Sequence, residues 1–129
     1  MNPPREAVVP ENSRYLALIT AGPLVWMLHF LASYATVSVW CARFSSTAGD
    51  PGPVPTLVAV YTIVALTIIA LVGWNGRQRH VLDGGAPPHD ADTPEDRHRF
   101  LGFATMLLAG LSGVATIYSA LAVFILRSC

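Results

Sequence analysis

Three stretches of the chain contain no Asp, Glu, Lys or Arg: Leu16 to Trp40, Val54 to Trp74 and Phe100 to Leu126. Each is longer than the roughly 18–20 residues that cross about 30 Å of hydrocarbon at 1.5 Å per residue. A helix in a soluble bundle of this size would carry charge on its outer face every few residues. These segments are apolar nearly all round. The pattern predicts an all-α integral membrane protein, a three-transmembrane-helix bundle. Helix 1 is expected over about residues 15–41, helix 2 over about 54–75 and helix 3 over about 94–127, with residues 1–14 a flexible cytoplasmic segment.

A cleaved signal peptide would be the competing reading of the first stretch, with Ser46-Thr47-Ala48 as its cleavage site. An apolar run of about 25 residues is too long for the usual 7–15-residue core of such a signal, and it carries Trp26, His29, Tyr34 and Trp40. The retained span is the better reading.

The polar connections set the orientation. Three spans put the N-terminus and the second loop on one side, with Arg5, Arg14, Arg77, Arg79, Arg97 and Arg99; the other side holds Arg43 and Arg127. By the positive-inside bias the N-terminus is expected in the cytoplasm and the C-terminus outside, in a multi-pass protein of the bacterial inner (plasma) membrane. Trp40, Phe44, Trp74 and Phe100 fall where rings anchor at the membrane–water boundary. The outer connection holds Gly49, Asp50, Pro51, Gly52, Pro53 and Pro55 and reads as a stiff turn between antiparallel helices. In the inner connection, Thr93 reads as the N-cap of helix 3 and Pro94 as its first residue, with Glu95 and Asp96 at the positive end of the dipole.

Composition narrows the partners. Hydrophobic residues make up 53% of the chain and charged residues 12%, about half the charged share of a soluble domain, so lipid is the expected surrounding. The formal net charge of zero gives nucleic acid nothing to hold.

Helix 1 carries Gly22, Trp26, His29, Ser33, Thr36 and Trp40 at spacings of three and four, which gathers them on one face. Helix 3 repeats the pattern with Gly102, Thr105, Ala109, Ser112, Thr116 and Ser119. Helix 2 has a weaker version in Ala59, Thr62, Ala70 and Gly73, interrupted by Leu66. In lipid, helices gain little by packing Leu on Leu and associate through small residues and hydroxyl hydrogen bonds. The stripes should therefore face one another, with most Leu, Ile and Val outside, and Pro23 should kink helix 1.

His29 stands out as an ionisable group near the middle of a span, which is costly unless it is neutral and hydrogen-bonded. Its plainest role is interhelical glue, bridging to Ser112, Thr116 or a backbone carbonyl. Contact with a partner protein or lipid headgroup, a proton relay, and haem or copper ligation are the sharper ones. Met27 and Met106 lie off the two clear stripes and read as packing residues. His80, His89, Asp90, Asp92, Glu95, Asp96 and His98 cluster in and beside the inner loop, yet no spacing matches a tight metal motif. No cofactor is predicted.

Cys41 ends helix 1 and Cys129 follows helix 3, and helix parity brings both to the outer side. In an oxidising compartment a Cys41–Cys129 disulfide is the main expectation, with free, metal-accepting or exchanging thiols as the alternative. Neither cysteine has a Cys-x-x-Cys neighbour.

The run AGPLVWMLHFL from Ala21 to Leu31, continuing to Trp40-Cys41, adds a further clue. With Arg99-Phe100, the segment LLAGLS from Leu107 to Ser112 and the terminal Cys129, it resembles an uncharacterised family of small three-span bacterial membrane proteins associated with haem-copper terminal (cytochrome c) oxidases. The resemblance covers helices 1 and 3 and points to Trp26, His29, Cys41 and Cys129. It implies a non-enzymatic accessory or assembly subunit of a membrane respiratory complex, with terminal oxidase subunits as the membrane protein partner. A haem- or copper-handling protein using His29 and the cysteines is the first alternative; a transporter or channel subunit, which would need an oligomer to enclose a pore, is the second. No nucleophile–base pair, paired carboxylate or phosphate loop suggests an enzyme.

Overall fold

The structure, a computed structural model, describes residues 10–44, 52–82 and 94–126. These form three helices, α1 (Pro10–Phe44), α2 (Val54–Leu82) and α3 (Pro94–Ile125), and no strand occurs among the described residues. Within them, Ser13–Phe44, Val54–Gln78 and Arg99–Ile125 are each long and apolar enough to cross a membrane. α1 starts at Pro10 rather than near residue 15, and α2 continues to Leu82, well past the end of its apolar stretch at Trp74. Apolarity marks what lies in hydrocarbon. A helix continues into polar sequence as long as nothing breaks it.

All three helix pairs are in contact, most extensively α2 with α3 and least extensively α1 with α2. The chain runs up, down and up. Gly22 of α1 faces Ala109 of α3, His29 faces Thr62 of α2, and Trp40 lies over Gly52 at the start of the return. Arg14, Arg77 and Arg99 consequently fall at one end of the bundle and Arg43 at the other.

The packing is inverted relative to a soluble bundle. From Leu16 to Leu71 and from Leu101 to Leu126 no described leucine is buried, and Leu16, Leu28, Leu71, Leu111 and Ile125 stand on the outside. The buried side chains are Val54, Val58, Ala65, Ile69, Ala109 and Ala120, together with His29, Ser33, Thr105, Ser112 and Thr116. In lipid the exposed Leu side chains cost nothing. What decides association is how closely the backbones approach.

Glycine sets that approach at one end. A Cβ on Gly76 would lie 3.0 Å from the Gly102 carbonyl oxygen and 3.3 Å from the Met106 nitrogen. A Cβ on Gly22 would lie 3.3 Å from the Ala109 Cα, and one on Gly73 would lie 3.3 Å from the Ala109 Cβ. Ala109 is thus gripped from two sides. The opposite end is filled by side chains instead. Val54, Val58 and Ala120 form an apolar plug, against which Val37, Trp40, Val123 and Phe124 pack.

The α3 stripe is buried from Gly102 to Thr116, with Ala120 taking over from the half-buried Ser119 at the last turn. The α2 stripe is corrected. Ala70 is exposed, and the buried face runs through Val54, Val58, Ala65, Ile69 and Gly76, with Thr62 half-buried beside it. β-branched residues hold positions that a small-residue pattern does not mark. α1 continues through Pro23, whose missing N–H costs one bond to the Ile19 carbonyl without ending the helix.

Candidate functional site

The expected hydroxyl hydrogen bonds between helices are largely replaced by bonds within each helix. Thr36 donates to the Ala32 carbonyl, Thr105 to Leu101, Ser112 to Leu108, Thr116 to Ser112 and Ser119 to Ala115, at 2.7–2.8 Å. Each hydroxyl answers to the carbonyl four residues back, the local bond that Ser and Thr can make inside a helix. Small size, rather than interhelical bonding, places these residues in the interior.

His29 is the exception. It is 4% exposed, and its Nε2 lies 3.0 Å from Thr62 Oγ1 on α2. The bridge to Ser112 or Thr116 of α3 is not formed; the imidazole turns to the antiparallel neighbour instead.

The bond fixes the chemistry of the ring. Thr62 has one hydroxyl proton, and at 2.7 Å it donates that proton to the Val58 carbonyl. Toward His29 the same oxygen can only accept, so Nε2 carries a proton and donates. In the neutral ring Nδ1 is then a bare lone pair. Nδ1 is buried and has no hydrogen-bond partner, and one turn further along α1 the buried Ser33 Oγ has none either. Two consecutive turns of α1 thus carry unsatisfied polar atoms, at a depth where water is scarce and each such group costs free energy.

A groove flanks α1 on each side of this pair. Between α1 and α2 an opening of about 270 Å³ is lined by His29, with Leu28, Ala32, Tyr61 and Val64 among its walls. Between α1 and α3 one of about 220 Å³ is lined by Ser33, with Phe30, Tyr34 and Ser119. The ridge between the grooves is aromatic. Trp26 and Phe30 have ring centroids 6.4 Å apart, as do Phe30 and Tyr34, whose planes lie 18° from parallel.

Of the other stripe residues, Thr36 is half-buried and self-satisfied, and Trp40 is half-buried at the plugged end, stacked on Phe44 at 4.4 Å. Trp26 corrects the stripe: it is 37% exposed, its indole being too large for the narrow end beside Gly22. Cys41 is half-buried at the end of α1. Cys129 lies outside the described residues, as do Thr93, His89, Asp90 and Asp92 of the inner loop. Among the described residues no group of three or more His, Cys, Asp or Glu side chains is gathered to hold a metal ion. No protein-family profile matches the chain, and neither does any curated protein or any solved structure.

Proposed function

We propose that this chain is a non-enzymatic accessory or assembly subunit of a membrane respiratory complex, a terminal oxidase being the complex that its sequence resemblance favours. The observation that carries the reading is the outer face of α1. Trp26, Phe30 and Tyr34 stand in a row at successive turns, 37%, 47% and 65% exposed. Trp and Tyr ordinarily sit at the membrane boundary, where their polar tips are wet. Here they flank the middle of a span, a location that suits contact with another protein better than contact with acyl chains. In this reading the N-terminus is cytoplasmic, the C-terminus is periplasmic, and a Cys41–Cys129 disulfide ties the end of α3 to the top of α1 in the inner membrane.

Affinity purification of the tagged chain from native membranes tests the proposal. Oxidase subunits should co-purify, and Trp26→Ala with Tyr34→Ala should release them while the chain stays in the membrane. Retention of full oxidase activity after deletion of the gene, with no subunit co-purifying, would end the proposal.

A further inference from the structure

The end of the bundle that holds Gly76 and Gly102 carries an inference that does not depend on the respiratory reading. A small recess lined by Tyr15, Leu18, Asn75, Gly76, Leu101 and Gly102 puts parts of all three helices at one level there. Arg14 precedes Tyr15, Arg77 follows Gly76, and Arg99 stands two residues before Leu101. At about 1.5 Å of rise per residue, the three arginines lie within roughly one helical turn of depth. The same level is a boundary. The apolar spans of α1 and α3 begin at Ser13 and Arg99, and that of α2 ends at Gln78. The arginines therefore stand where hydrocarbon gives way to headgroups.

Their charge is uncompensated among the described residues. No Asp or Glu occurs among the side chains that the structure describes, and none of those side chains pairs with Arg14, Arg77 or Arg99. The opposite end has Arg43 as its one described charge. Arg14 and Arg77 are exposed. Arg99 falls three residues before Gly102, on the buried face of α3, and is half-buried. Its Nε is enclosed without a partner, whereas its two terminal nitrogens stay open. A packed stem fixes where the guanidinium fork emerges, and such a fork matches the oxygens of a phosphate.

We infer that this end of the bundle holds the phosphate of an anionic phospholipid. Arg99 is the fixed donor, and Arg14 and Arg77 add positive charge from α1 and α2. A phosphatidylglycerol headgroup brings a phosphate with no cation of its own. Phosphatidylcholine neutralises its phosphate internally and gains less from the three arginines.

Native mass spectrometry of the full chain, released from nonionic micelles, tests this with phosphatidylglycerol, phosphatidylcholine and inorganic phosphate in turn. Phosphatidylglycerol should be retained at least about tenfold better than phosphatidylcholine, and better than inorganic phosphate. Arg99→Gln should cut its retention about fivefold. Arg14→Gln with Arg77→Gln should cut it as well, and because both side chains are exposed this pair reads the charge without a change in packing. Arg43→Gln, at the opposite end, should leave retention unchanged. Equal retention of the two lipids would overturn the inference, as expected if Glu11, Glu95 or Asp96 neutralises the arginines. So would inorganic phosphate bound as tightly as the lipid, or a loss with Arg43→Gln equal to that with Arg99→Gln.

Discussion

The two halves of the bundle interior solve the same packing problem differently. Around Ala109, glycines at positions 22, 73 and 76 let three backbones touch, and the buried hydroxyls there are satisfied within their own helices. Beyond Ser112 the seams of α1 widen. His29 reaches across to Thr62, two grooves open beside it, and the far end is closed by Trp40 and the Val58 plug. The closed half packs backbone on backbone, and its buried atom without a partner, Arg99 Nε, lies at its very end rather than at mid-span. The open half keeps buried atoms without partners, which a structure retains at a cost of about 1–3 kcal/mol each. The lesson is that small residues alone do not reveal function in a membrane helix. The informative place is where they stop and a polar atom goes unanswered.

Substitution can break this contrast most severely in the closed half. Gly76→Leu would drive a side chain into the Gly102 carbonyl and the Met106 backbone, which cannot rotate away. The expected loss is about 3 kcal/mol, enough to part α2 from α3, read from the unfolding midpoint in mixed detergent. A smaller loss is expected at the plugged end. Gly52 has φ +52°, and a Cβ there would lie 2.3 Å from the Trp40 ring. Gly52→Ala should cost about 2 kcal/mol, accompanied by a change in tryptophan fluorescence as Trp40 is displaced. Gly110 sharpens the contrast from the other side, since a Cβ there meets nothing within 4 Å. Gly110→Ala should stabilise by about 0.5 kcal/mol through helix propensity alone. A loss at Gly110 comparable to that at Gly76 would show that glycine itself, not its neighbours, governs these sites.

Much of the fold is legible in the sequence because lipid imposes a simple code. Charge-free runs of sufficient length mark the spans, and three-four spacing of small residues marks the buried face of α3 almost residue for residue. α2 is less legible. Val58 and Ile69 are buried there although their side chains would suit the lipid equally well, so composition does not distinguish the two faces. Trp26 follows the spacing of the α1 stripe yet turns outward, because periodicity assigns a face without asking whether the partner leaves room. Of the candidate site, His29 is visible as an ionisable group at mid-span and Thr62 as a member of the α2 stripe, whereas their pairing is not. Finding that pair requires the register of α1 against α2. The unanswered Nδ1 is less visible still, because it follows from where a single threonine proton goes.

The most direct test of the account is the protonation pattern of the His29 ring in the membrane-embedded chain. Side-chain 15N–1H correlation spectra should show Nε2 protonated and Nδ1 bare in the native protein, and Thr62→Val should lift that preference and cost about 1 kcal/mol of stability. A native spectrum with the proton on Nδ1, or one that Thr62→Val leaves unchanged, would contradict it.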